Sequence, residues 1–123
     1  MKDEMNLDDV RKQNDELLRR EILRVLFHAR EGPTAWLRGD SVMRIVRSGL
    51  AADVEIRDES HAVGLCRDLV NRGLIVQEFL PQRAWEPFGL QFVRYRISDK
   101  GTDLHLEKIP PDPQVADDRI VRG

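Results

Sequence analysis

Asp58-Glu59-Ser60-His61-Ala62-Val63-Gly64-Leu65-Cys66-Arg67-Asp68-Leu69-Val70-Asn71-Arg72-Gly73-Leu74-Ile75-Val76-Gln77-Glu78-Phe79-Leu80 is the stretch that decides the fold. Ala62, Leu65, Cys66, Leu69 and Val70 recur at spacings of three and four, which predicts a helix over 60–72 with that stripe buried. Asp58 or Ser60 caps it. His61, Gly64, Arg67, Asp68 and Asn71 then face outward. Gly73 stops the helix, and Leu74, Val76 and Phe79 begin a strand, with Gln77 and Glu78 as polar positions within it. A return strand reads Gln91-Phe92-Val93-Arg94-Tyr95-Arg96-Ile97, and Ser98-Asp99-Lys100-Gly101-Thr102-Asp103-Leu104 restarts a helix. The connection 81–90 holds two prolines, Arg83 and Trp85, and is too long for a tight hairpin.

Upstream, Asn6 or Asp8 caps a short helical lead-in, and the stronger helix begins near Asp15. Leu17, Leu18, Ile22, Val25, Leu26 and Ala29 form one face, which Leu23 and Phe27 widen. Glu31-Gly32-Pro33 stops it, and residues 34–38 form a connector carrying Trp36. Asp40 or Ser41 caps a second helix through Val42, Met43, Ile45, Val46 and Leu50. Val54-Glu55-Ile56 alternates, as a one-bridge strand would. Beyond Lys108, Ile109-Pro110-Pro111-Asp112-Pro113 breaks regular structure, and the tail is expected to be extended. The expected organisation is a helical extension over 1–14, a domain over 15–108 and an arm over 109–123.

Three helices followed by a two-stranded ribbon predict an α+β chain, a winged helix-turn-helix with an N-terminal helical extension and an irregular C-terminal arm. The run from Asp58 to Leu74, ending Asn71-Arg72-Gly73-Leu74-Ile75, resembles the third helix and first wing strand of MarR-type winged-helix regulators. Tyr95-Arg96-Ile97-Ser98-Asp99-Lys100-Gly101-Thr102-Asp103-Leu104 is similar to that family's exit from the wing. The likeness covers roughly 15–107. The proline-rich tail is similar to that of small winged-helix proteins of Mu-type prophages. The resemblance implies a transcriptional regulator that binds double-stranded DNA. Its third helix would lie in a major groove and its wing, 81–90, on the flanking backbone. The residues expected to touch DNA are Ser60, His61, Gly64, Arg67, Asn71, Arg83, Trp85, Arg94 and Arg96. The sequence departs from the regulator pattern at Val63 and Gly64, which offer nothing to a base edge. Asp58, Glu59 and Asp68 would repel phosphate. Gly64 in mid-helix is expected to permit a close approach.

Composition narrows the classes. The chain has 123 residues, 41% hydrophobic and 34% charged, with net charge −2. From Gly32 to Lys108 there are eleven Lys and Arg and eleven Asp and Glu. DNA-binding domains draw much of their affinity from phosphate neutralisation, so this balance favours a second reading, a winged helix that docks protein and not DNA. No apolar run approaches the roughly 20 residues of a membrane span. Met1-Lys2-Asp3-Glu4 lacks the apolar core of a signal peptide, so a cytoplasmic location is expected. Cys66, alone, forms no internal disulfide and is expected to fill core space. His28, His61 and His105 are too scattered for a metal site. Adjacent carboxylates such as Asp8-Asp9 point apart, so neither an enzyme nor a cofactor is expected. Arg94 and Arg96 share a strand face, as a basic rib or as cross-strand ion pairs. The extra apolar residues Leu23 and Phe27 are expected to form a homodimer contact, extended by 7–14, unless Leu104, Leu106 or the arm covers them.

Overall fold

Helix α1 begins at Leu7 because Asn6 accepts the Asp9 N–H at 2.8 Å and so satisfies one of the free donors of the first turn. It runs unbroken to Ala29 in the computed structural model, which describes residues 6–32 and 35–121. The expected lead-in and stronger helix are therefore one element. Pro33, Thr34 and the first five residues lie outside the described residues. Strand β1 (Leu37–Arg38) follows, then α2 (Gly39–Ser48), α3 (Glu59–Asn71), β2 (Ile75–Phe79), a 3-10 turn (Leu90–Phe92), β3 (Val93–Ile97), α4 (Asp99–His105) and a last turn α5 (Asp118–Val121). The chain is thus α+β. Its sheet is antiparallel in the order β1-β3-β2, compatible with the expected ribbon on three helices.

The register sorts the sheet into two faces. Gln77 pairs with Tyr95 and Phe79 with Val93, while Val76 pairs with Arg96 and Glu78 with Arg94. Tyr95, Val93 and Ile97 point into the core, so Arg94 and Arg96 lie on the opposite face. Leu18, Ile22 and Leu26 of α1, Val42, Met43 and Val46 of α2, and Leu65 and Leu69 of α3 meet Leu74, Ile75 and Val93 in one cluster.

Several local differences have a tertiary cause. Leu37 and Arg38 become a strand because Tyr95 and Arg94 offer backbone partners. Helix α2 starts one residue before Asp40. Gly39 is buried, and a Cβ there would lie 2.8 Å from the Leu90 carbonyl oxygen. Asp40 binds Arg38 and its neighbour's N–H instead of capping. Phe92 belongs to the 3-10 turn, not to the return strand. Val54-Glu55-Ile56 forms no strand. The Asn14 side chain takes that role, donating to the Glu55 carbonyl and accepting the Glu55 N–H, both at 2.9 Å.

The arm is docked, not extended away. Val115 is buried, the Ala116 N–H donates to the Glu16 carbonyl, and Arg19 donates to the Gln114 carbonyl. Arg72 holds Asp112 through two bonds of 2.8 and 3.0 Å. The arm and α4 absorb the apolar excess on α1. Leu23 is 1% exposed and lies beside Leu104 and Val115. Phe27 stacks on His105 with centroids 4.4 Å apart and carries the Arg30 guanidinium at 4.2 Å. Leu23 has no surface to offer a second copy, so the dimer contact expected at Leu23 is corrected to packing within one chain, while Phe27 is half-buried against His105 and Arg30 of its own chain.

The α3–β2 and β3–α4 junctions lock together. Gly73 has φ 74°, and the Leu74 N–H closes back on the Leu69 carbonyl. Ser98 then donates through its hydroxyl to the Gly73 carbonyl and through its N–H to the Leu74 carbonyl. Gly101 sits so close that a Cβ would lie 2.0 Å from the Leu74 oxygen. Gly101→Ala should therefore cost about 3 kcal/mol, and Gly73→Ala about 1–2 kcal/mol, in urea unfolding. Equal small losses at the two positions would refute the close-approach account. His105 gives a second expectation. Burial, with His28, Arg24 and Arg30 nearby, holds its pKa below the ordinary value. The unfolded chain then takes up this proton first as pH falls through about 6.5, so stability is full above that pH and declines below it. The fall in Tm between about pH 7 and about pH 5.5 should be smaller in His105→Gln than in wild type.

Candidate nucleic-acid interface

Helix α3 is presented by its own cap and by α1. The Asp58 carboxylate accepts the His61 N–H at 2.8 Å, which fixes the first turn. His61, expected to face outward, is turned inward, and its side chain is 6% exposed. Its Nδ1 accepts the Arg57 N–H at 3.1 Å, so the proton sits on Nε2, which donates to Asp15 at 2.7 Å. His61 thus joins α1, the preceding loop and α3, and its ring is spent on positioning the helix. Asp68 is likewise tied to α1, bonded by Arg19 at 2.8 Å.

The outward lane of α3 is Ser60, Gly64, Arg67 and Asn71. Ser60, Arg67 and Asn71 are exposed, and a Cβ at Gly64 would meet nothing within 4 Å. The close approach expected of Gly64 does not occur inside the chain. Arg67 has no carboxylate partner among the described residues, nor has Arg57 at the head of the helix. An open concavity beside the lane is lined by Asp15, Arg57, Asp58, Ser60, His61, Gly64 and Asp68. Its carboxylates are engaged: Asp58 in the cap, Asp15 with His61, Asp68 with Arg19.

The remaining expected contacts are dispersed. Arg83 and Trp85 sit together in the loop 81–89, with the guanidinium 5.6 Å from the indole, and Trp85 is 72% exposed. Arg94 and Arg96 flank Trp36 at 4.8 and 5.0 Å on the sheet face away from the core, and Arg94 pairs with Glu78 across the ribbon. The two therefore do not join α3 in one surface. Arg72 is occupied by Asp112.

Sequence reading missed a groove between α3 and the ribbon, lined by Val63, Arg67, Gln77, Phe79, Phe88 and Tyr95. Phe79 is 63% exposed and Phe88, also exposed, meets it edge to face at 6.0 Å. The alternation that pairs Phe79 with Val93 is the signal that would have found it. Cys66 lies under the groove. Burial pushes its thiol up to about 12, and the neighbouring Tyr95 hydroxyl is likewise raised by burial. It is a packed thiol, not a nucleophile. Among the described residues, no three of His, Cys, Asp and Glu are grouped to hold a metal, and no helix is long and apolar enough to cross a membrane. Comparison with known proteins finds no matching family, curated protein or solved structure.

Gly64 supplies the expectation that follows. A mid-helix Gly costs about 1 kcal/mol against Ala, and nothing in the chain needs the space. Gly64→Ala should raise stability by about that amount in urea unfolding. A loss of stability would mean that the site is packed from within.

Proposed function

We propose that the chain is a winged-helix protein that binds double-stranded DNA through α3, as a transcriptional regulator would. The observation that carries this reading is the unoccupied lane Ser60-Gly64-Arg67-Asn71 on a helix held at its flank by α1 and followed by a ribbon. Arg67 and Asn71 supply donors for base edges or phosphate, and Gly64 lets a sugar-phosphate strand come close to the helix backbone. Asp68 is a weaker obstacle than its sequence position implies, because Arg19 pairs with it. The wing adds Arg83 and Trp85 beside the duplex. Arg94 and Arg96 are left out of this interface, and the reading needs no twofold contact at Leu23 and Phe27.

A second reading, a winged-helix module that docks protein without binding DNA, is favoured by one observation. Phe79 and Phe88 are exposed beside α3 on a chain of net charge −2, and exposed apolar groups rimmed by polar ones mark docking sites.

The two are separated by retention on mixed-sequence duplex DNA at low salt. Wild type should be retained, and Arg67→Glu with Arg83→Glu should abolish retention while the circular dichroism spectrum is unchanged. Gly64→Arg, more cationic but bulky in the lane, should also weaken it. Wild type that passes through freely across a broad duplex library would dismiss the DNA reading.

A further inference from the structure

The exposed aromatic groups beside α3 are not absorbed by the DNA reading. Strand β2 lies at the edge of the sheet, bonded to β3 on one side. Among the described residues no other backbone group bonds to residues 75–79. Gln77, Glu78 and Phe79 are exposed along it. Such an edge is a row of unmet donors and acceptors, and proteins normally shorten it, charge it or cover it. Next to this edge the groove between α3 and the ribbon offers the apolar surfaces of Val63, Phe79, Phe88 and Tyr95, with Arg67 at its rim.

We infer that an extended peptide segment of a partner protein adds to the β2 edge, sets an aromatic or branched apolar side chain against Phe79 and Phe88, and brings a carboxylate to Arg67. Strand addition supplies sequence-independent backbone bonds, and the period of two gives the side-chain rule. Alternate residues of the peptide face the groove, so its apolar residue and its acid stand two apart. Charge selects the acid, because Arg67 is a cation without a carboxylate of its own among the described residues. It also excludes a second copy of β2 as the occupant. The groove-side residues of β2 itself are Ile75, Gln77 and Phe79, none of them acidic, and Glu78 is on the other face with Arg94. This inference is independent of the DNA reading, although both employ Arg67.

The test uses the full chain and a fluorescein-labelled nonapeptide of alternating Thr and Val, with a central Phe followed two residues on by Asp. Fluorescence anisotropy should give saturable binding to wild type. Phe79→Ser and Arg67→Glu should each weaken it about tenfold or more, as should replacing the peptide Asp by Lys. Ser60→Glu, which alters the lane and not the groove, should leave peptide binding intact while reducing duplex retention. Phe79→Ser should do the reverse. No saturable binding of the nonapeptide to wild type overturns the inference, as does binding indifferent to Phe79→Ser and Arg67→Glu. Labelled oligothymidine bound through Phe79 in place of the peptide also overturns it, since bases stack on exposed aromatic rings. Peptide failure with duplex retention intact rejects this inference alone.

Discussion

The approach of Gly101 to the Leu74 carbonyl is the constraint on which the arrangement hangs. Leu74 follows the left-handed turn at Gly73 that ends α3, and Gly101 lies in the first turn of α4. Ser98 bonds to both Gly73 and Leu74, and Lys100 donates to the Arg72 carbonyl. One small cluster of backbone groups therefore fixes where α3 stops, where β2 starts and how β3 hands over to α4. The groove wall and the outward lane take their relative position from it. A side chain on Gly101 would not merely crowd the core. It would push the exit of the ribbon away from the end of α3.

The electrostatics of α3 depend on which charges are already engaged. By composition the domain is neutral, and acids near a helix offered to DNA count against such a role. The arrangement of pairs changes that weighting. Asp58, Asp15 and Asp68 are committed to holding the helix in place, through a cap, a histidine bridge and an arginine pair. Arg57 and Arg67 have no acid partner among the described residues. The histidine bridge and the arginine pair are half-buried. Their consequence is where they leave uncompensated charge.

Local features were legible in the sequence and long-range ones were not. Gly73 and the stripe of Leu65, Cys66 and Leu69 are readable because a helix and its stop are set by neighbours in the chain. The shared face of Arg94 and Arg96 follows from the period of two, but which face it is depends on what packs beneath Tyr95. His61 looked exposed from its place beside the stripe, and α1 turned it inward by offering Asp15, 46 residues away. Asn14 imitates a strand for Glu55 across 41 residues, which no local pattern encodes. The prolines of the arm truly break regular structure. Yet a single buried Val115, with Arg19 and Arg72 as clamps, is enough to dock it.

That docked arm bears on how the chain folds. The bond from Arg19 to the Gln114 carbonyl spans 95 residues, and Ala116 reaches back to Glu16. Closing so long a loop costs entropy before its few contacts repay it. By that argument the strap is expected to form late, on a core that the helices and ribbon have already assembled. Weakening it should then accelerate unfolding and leave the folding rate nearly untouched. The kinetic lifetime of the native state would thereby depend on the arm, although the arm carries little of the core.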